Sequence, residues 1–270
     1  MVPEPRESFL WTPEPWGPAL RCAPLARVAD HLFSTRQLEL DSEGTSDDWS
    51  ALARALGVDQ DAVVRLRQVH GAGVTVIRRA DQRPTRHADL PADIVLSDRS
   101  DLAIAVQVAD CVPLLLADAR LRVVAAAHAG WRGMAAGVAR VAVEALARAF
   151  GSRPADLVAA IGPSIGPCCY EVGDNVREAF RRAGHDAAAI GRWFSLDGAR
   201  GRPHLDLWKA TRDQLVGAGV PADRVHACGL CTASHRDVFF SYRGDGPGTG
   251  RMVGVIRARP ASSRSEEDHP

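Results

Sequence analysis

Three residues of this chain join metal-binding or nucleophilic chemistry to a suitable setting: His70, Cys111 and His128. Each lies at the end of a short apolar run and just before a turn. His70 follows Arg67-Gln68-Val69 and precedes Gly71. Cys111 falls between the apolar runs at 102–108 and 113–117. His128 closes the run at 123–127, and Ala129-Gly130-Trp131-Arg132-Gly133 then turns the chain toward a helix. Histidine and cysteine are preferred zinc ligands. Ligands spaced this widely, on separate strand ends, suit a catalytic centre in which three protein donors leave a fourth position for water or substrate. Two imidazoles, one thiolate and Zn2+ carry a net positive charge, which lowers the pKa of water at the open position. Cu2+ competes for the same donors. The same side chains also serve a second chemistry, because a Cys111 thiolate beside the His128 imidazole makes a cysteine-hydrolase dyad. Spacing alone does not separate the two.

Carboxylates and cations are available near these residues. Asp93 opens an apolar run and Asp110 precedes Cys111, so either is a candidate to carry a proton or to fix an imidazole tautomer. Arg132 lies where the chain enters the helix after His128, a place suited to an anion. Cys228-Gly229-Leu230-Cys231 is a C-x-x-C that, with Cys168-Cys169, has the residue types for a second metal site, and a redox or packing role fits it equally. The glycine-rich stretch from Gly244 to Gly250 lacks the Walker lysine pattern and reads as a loop near the site.

The elements that must position these residues are legible in outline. Ser46-Asp47-Asp48 predicts the start of a short helix that ends at Gly57. Strand-like runs follow at 63–69, 74–78, 93–96, 102–108, 114–117 and 123–127. Apolar spacing predicts one helix over 133–150, with Met134, Val138, Val141, Ala145, Leu146 and Ala149 inward. Further expectations are a strand at 157–161, helices near 173–183 and 206–216, and strands at 224–227, 238–242 and 252–256. Strands cluster early and helices are few. That pattern predicts an α+β domain of mixed sheets flanked by helices rather than a regular βαβ alternation.

The prolines within residues 1–20 (Pro3, Pro5, Pro13, Pro15 and Pro18) predict a flexible arm. Residues 21–259 then form a single catalytic domain, and 260–270 a disordered tail. A 46% apolar composition is ordinary for a chain that buries a real core. Formal net charge is zero, so electrostatics implies neither a nucleic-acid nor a membrane partner. Lys209 is the only lysine, leaving arginine as nearly all the basic charge. No signal peptide or bilayer-spanning run is apparent. The six cysteines therefore read as reduced thiols of a cytoplasmic protein.

Taken together, the motifs resemble the YfiH or laccase-domain family, also called the multicopper polyphenol oxidase family and now mostly described as purine nucleoside phosphorylases. The likeness rests on Phe33-Ser34-Thr35-Arg36, Gln68-Val69-His70-Gly71, Ala92-Asp93, Ala109-Asp110-Cys111-Val112-Pro113 and His128-Ala129-Gly130-Trp131-Arg132-Gly133. It continues through Ile161-Gly162-Pro163, Pro167-Cys168-Cys169-Tyr170-Glu171-Val172, Leu205-Asp206-Leu207-Trp208, Cys231-Thr232 and Phe239-Phe240-Ser241-Tyr242-Arg243. The resemblance implies zinc on His70, Cys111 and His128, and a fold similar to that of toxin deamidases built on a Cys/His pair. It implies phosphorolysis of adenosine, inosine, guanosine and methylthioadenosine to base and ribose 1-phosphate, with adenosine deamination as a further activity. The partners are then a small nucleoside and phosphate. Arg132, with Arg36 or Arg243, is expected to hold phosphate, and Gln68 to contact substrate. Ser164 stands where the family often has Cys, and Gly244 where Arg is usual; loss of that arginine predicts weaker phosphorolysis.

Other readings compete. Bacterial members are also linked to peptidoglycan editing, which would use the Cys111/His128 dyad on cell-wall precursors. A non-catalytic partner-binding protein is a third. A multicopper laccase needs about ten histidines, largely in His-x-His pairs, because imidazole is copper's main nitrogen ligand. This chain has nine and no His-x-His, which excludes that reading and leaves at most a single Cu2+ in the His70/Cys111/His128 pocket.

Overall fold

The computed structural model describes residues 2–40, 46–81, 90–197 and 201–260. Two six-stranded sheets carry the fold. The first has the order β1 (Phe9–Glu14), β2 (Gly17–Cys22), β3 (Ala29–Phe33), β14 (Met252–Ala258), β7 (Ala103–Val108), β4 (Val63–Arg65). The second runs β13 (Val225–Ala227), β10 (Leu157–Ile161), β8 (Val112–Asp118), β9 (Val123–Ala129), β6 (Ile94–Ser97), β5 (Val74–Ile77). Both are mixed: β4 lies parallel to β7 and β5 to β6, while β8 and β9 form an antiparallel pair. A small hairpin of β11 (Phe194–Asp197) and β12 (Arg202–Leu205) stands apart.

Period-two alternation sorts the side chains into layers. Leu115, Ala117, Val124 and Ala126 point into a core shared with Phe33, Ile104, Val106 and Ile256 of the first sheet. Their neighbours Leu114, Leu116, Val123, Ala125 and Ala127 point the other way. There they meet α4 (Val138–Phe150), α5 (Asp174–Arg182), α6 (Ala187–Trp193) and α7 (Leu207–Gly217). The outer face of the first sheet is covered by α2 (Asp47–Ala55), through Trp49 and Leu52. Three short helices complete the set: α1 (Ala23–Ala26), α3 (Trp131–Ala135) and α8 (Tyr242–Asp245). All seven residues of β8 and of β9 are buried. Strands covered on both faces read as unbroken apolar runs, which is how these two read in the sequence. The fold is α+β, with mixed sheets flanked by helices, as expected.

Several expectations differ in detail. The first twenty residues are not a loose arm, since β1 and β2 pair through six residues and continue the first sheet. The prolines that obscured this hairpin sit where they do no harm. Pro13 faces Pro18, and neither supplies an N–H, so the pair occupies a non-hydrogen-bonded position, with β1 at the sheet edge. The helix expected over 133–150 is two helices, broken where Gly137 adopts φ +77°. The break turns the inward face to Val138, Ala139, Ala142, Val143, Ala145 and Leu146, leaving Val141 and Ala149 half-buried. No strand forms at 238–242. Val238 and Phe239 both donate to the His235 carbonyl, closing a turn, and Ser241 caps α8. The tail expected to be disordered lies, beyond Pro260, outside the described residues. Among the described residues no helix is long and apolar enough to cross a membrane.

Candidate metal centre

His70, Cys111 and His128 converge. Their ligand atoms all lie within 4.8 Å of one another. The two imidazole rings meet edge to face at 4.8 Å between centroids. Strand register explains the convergence. Pro113 of β8 lies opposite His128 of β9, which sets Cys111, two residues back, across from Gly130. Cys111 also occupies the crossing where the chain leaves β7 in the first sheet for β8 in the second. His128 continues the inward row of Val124 and Ala126 and is buried, Cys111 is half-buried and His70 exposed. The three donors thus run from the interior to solvent. Gly130 keeps the space between them open, since a Cβ there would stand 2.8 Å from Cys111 Sγ and 3.4 Å from His70 Cδ2.

Asp93 organises the group. Its side chain is fully buried. One carboxylate oxygen accepts from His128 Nδ1 at 2.8 Å and from the His70 amide at 2.9 Å. The other accepts from the amides of Gly71 at 2.6 Å and Val69 at 3.3 Å. The Asp93 carbonyl receives the His128 amide at 2.8 Å. A carboxylate on Nδ1 fixes the His128 tautomer and leaves Nε2 for the cluster. The same carboxylate holds the 69–71 loop, in which His70 adopts the uncommon φ of +61°. Burial works against the Asp93 charge, but these hydrogen bonds and the His128 charge hold its pKa below the ordinary value.

Cys111 and His128 each favour the charged form of the other. Burial alone would raise the Cys111 thiol, yet the charge and hydrogen bond of His128, with those of His70, bring it down to about 6. Burial likewise opposes a charged His128, and Cys111 and Asp93 overcome it, raising the imidazole to about 9.

The remaining expected residues fall into two groups. Asp110 adjoins the cluster at φ +82°, but both of its oxygens are engaged elsewhere. Thr232 Oγ1 donates to one at 2.6 Å and the Arg243 amide to the other at 2.6 Å. Gln68 pairs its amide with the backbone of Gln107, donating at 2.8 Å and accepting at 2.7 Å, and so extends the sheet edge rather than facing open space. Arg36 stacks over Phe240 and donates to the Arg236 carbonyl; none of its contacts reaches the cluster. Arg132 and Arg243 do flank the site. Arg132 lies over the Trp131 ring at 4.3 Å. Arg243 lies over Tyr170 at 5.5 Å and donates to the Glu171 carbonyl at 2.9 Å. Tyr170, quoted in the sequence only as part of a motif, proves to be the missing wall. Burial raises its phenol, the negative Cys111 and Asp110 raise it further, and Arg243 and Arg132 oppose them. Beside it opens a groove of about 600 Å³ lined by Trp131, Tyr170, Glu171, Val172, Arg202 and Arg243, among others.

Residues 35–259 match the family model described as multi-copper polyphenol oxidoreductase laccase. The chain belongs to this family. It is 37% identical over 258 residues to a purine nucleoside phosphorylase of Deinococcus radiodurans, covering 88% of this chain and 92% of that one. It is 38% identical over 211 residues to adenosine deaminase RL5 from an unknown prokaryotic organism, covering 76% and 79%. The solved structure of YlmD from Geobacillus stearothermophilus superposes with a TM-score of 0.80 at 30% identity, over 93% of this chain and 99% of that one. YfiH from Bacillus licheniformis superposes with a TM-score of 0.81, also at 30% identity, over 92% and 97%.

Proposed function

We propose that this chain is a zinc-dependent purine nucleoside phosphorylase, with adenosine deamination as a further activity. The observation that carries the proposal is the convergence of His70, Cys111 and His128 in front of Asp93; a groove lined by Trp131, Tyr170 and Arg243 lies nearby, with Arg132 stacked on that Trp131. Two nitrogens and one sulfur are zinc's usual donors, and the gap kept by Gly130 suits an ion of that kind. Zinc held by these three residues would supply Lewis-acid charge beside the reacting groups. A single ligand group containing histidine, found among the described residues, does not make a multicopper centre. Cu2+ fits only as a substitute in the zinc position.

The chain's own residues have distinct parts. Phosphorolysis needs an anion held in line with the ribose carbon that bears the base. Arg132, exposed and stacked on Trp131, provides an unobstructed guanidinium for it, and Arg243 provides a second cation. Trp131 and Tyr170 offer flat walls for the nucleoside. Asp93 accepts four hydrogen bonds, which fill its two oxygens, and Asp110 accepts one on each of its oxygens. Both are positioning residues: Asp93 sets the tautomer of His128, and Asp110 ties the Cys111 turn to Thr232 and Arg243.

The test is adenosine turnover in phosphate buffer, with products read by mass spectrometry and His70→Ala run alongside. Adenine plus ribose 1-phosphate, or inosine, should form with wild type, stop on chelation and return with zinc. Absence of every product from zinc-loaded wild type would overturn the reading.

One observation favours a second chemistry. Cys111, His128 and Asp93 stand in the order nucleophile, base and orienting carboxylate, and the Cys111 thiol is lowered. A cysteine hydrolase built on this line, acting on cell-wall precursors, would be stopped by iodoacetamide and indifferent to chelators.

A further inference from the structure

Three more sulfurs meet outside the proposed centre. Cys168 and Cys169 lie in the loop between β10 and α5, and Cys231 follows β13. Their Sγ atoms all fall within 4.8 Å of one another, those of Cys168 and Cys169 being 3.5 Å apart. None is in a disulfide, and 3.5 Å is far beyond the roughly 2.05 Å of an S–S bond. We propose that Cys168, Cys169 and Cys231 form a second metal site, which binds a zinc ion through three thiolates.

The spacing is that of a thiolate site. With Zn–S bonds of about 2.3 Å and tetrahedral angles, ligand sulfurs stand about 3.8 Å apart, inside the range seen here. The backbone holds the donors in advance. An isolated bridge pairs Ser164 with Cys231 and joins the two segments. Cys169 and Tyr170 donate to the Gly166 carbonyl at 3.0 and 3.1 Å, closing one tight turn. The His235 amide donates to the Cys231 carbonyl at 3.2 Å, closing the other. The Gly166 amide donates to Cys231 Sγ at 3.2 Å, a contact that favours thiolate.

Cys231 is buried, Cys169 half-buried and Cys168 exposed. The fourth position therefore faces solvent, beside Ser234 Oγ at 3.3 Å from Cys169 Sγ and 3.6 Å from Cys168 Sγ. The pairing differs from the C-x-x-C suspected in the sequence. Cys231 contributes, but Cys228 is buried elsewhere, its thiol pushed up to about 12 by burial. Soft thiolate donors select zinc and monovalent copper over harder ions.

The test counts metal on the full reduced chain and needs no turnover. Native mass spectrometry of zinc-loaded wild type should find two ions. His70→Ala/His128→Ala should keep one, and Cys168→Ser/Cys169→Ser should also keep one. Cobalt gives an independent readout, since thiolate-to-cobalt charge transfer reports bound sulfur directly. That band should persist in the histidine variant, and it should fall by more than half in the cysteine variant, where only Cys111 of the four thiolates still binds metal. Cys168 is exposed, so Cys168→Ser alone serves as a variant that folds and should weaken the second ion at least tenfold. A single wild-type ion that persists in Cys168→Ser/Cys169→Ser, or equal metal content in wild type and that variant, would overturn the proposal. So would a mass two protons light with no second metal, since that signifies a disulfide. Loss of the first ion alone bears on the phosphorylase reading and leaves this one standing.

Discussion

Replacing Asp93 with Asn is the sharpest probe of how the centre is held. The change is nearly isosteric, so any effect comes from the loss of charge and of one acceptor. The amide nitrogen has two places to go. On the side of Gly71 and Val69 it would face two backbone N–H groups now received at 2.6 and 3.3 Å. On the other side it would face the His70 amide and His128 Nδ1, at 2.9 and 2.8 Å. In that orientation His128 must move its proton to Nε2, the atom needed for the metal. In the first orientation two donors lose their acceptor in a fully buried place; in the second the His70 amide loses its acceptor and His128 gives up its tautomer. Hydrogen bonds to a charged group contribute about 1.5–3 kcal/mol each, so losing one or two should cost about 2–6 kcal/mol, a large share of the roughly 5–15 kcal/mol that stabilises a domain. Loss of a carboxylate behind a metal-bound histidine weakens binding about 10- to 100-fold. Urea unfolding of the metal-free proteins should show the first effect, and competition against a chromophoric chelator the second. Reduced stability with zinc affinity unchanged would refute control of the His128 tautomer and leave Asp93 only a brace for the 69–71 loop. Unchanged stability would refute the hub altogether.

Gly130→Ala should act on the centre and little else. Gly130 has φ −78°, which alanine adopts freely, but its new methyl would press on Cys111 Sγ; zinc affinity by chelator competition should drop at least tenfold, with Tm nearly unchanged. Arg132→Ala should raise KM for phosphate in steady-state kinetics while moving stability by no more than about 0.5 kcal/mol, and an unchanged KM would place the anion elsewhere. His31 should make stability depend on pH. It is fully buried and accepts the Cys22 amide at 2.9 Å, and burial, with the nearby Arg21 charge, lowers its pKa to about 4. The unfolded chain takes up that proton first, near pH 6.5. Stability is therefore complete above pH 6.5 and declines as pH falls toward 4, by about 3 kcal/mol in all. Urea midpoints of His31→Gln, which keeps an acceptor for the Cys22 amide, should lack this component.

The three candidate ligands were legible because His70 and Cys111 follow apolar runs and His128 closes one, and β8 and β9 are apolar enough to be read directly. Asp93 was legible only as one of two aspartates. Its partners lie at 69–71 and at 128, joined to it by the parallel pairing of β5 with β6 and the antiparallel pairing of β6 with β9, and no local pattern encodes those pairings. The sequence ranks Asp93 and Asp110 equally, and only the hydrogen bonds tell them apart. Gln68 was expected at substrate from its motif, but a side-chain amide mimics a strand so well that backbone claimed it. β1 and β2 were hidden by their prolines, and β3 by the polar pair Asp30-His31 within it. The Cys168/Cys169/Cys231 cluster could not be assembled from spacing, because the parallel pairing of β10 with β13 selects Cys231 over Cys228.

The position of β14 has a consequence for biosynthesis. It lies between β3 and β7, pairing with both, yet among the described residues it follows every other element. Until those residues leave the ribosome, β3 and β7 each expose a bare edge, and the hairpin of β1 and β2 has only β3 to rest on. The second sheet, whose strands all precede β14, can assemble first. The inward faces of Leu115, Val124 and Ala126 then wait for a partner layer that only the final strand can close. A nascent chain stalled shortly before β14 should therefore be a ready client for chaperones, and a full-length chain should acquire the Cys111 crossing between the sheets as one of its last folding events.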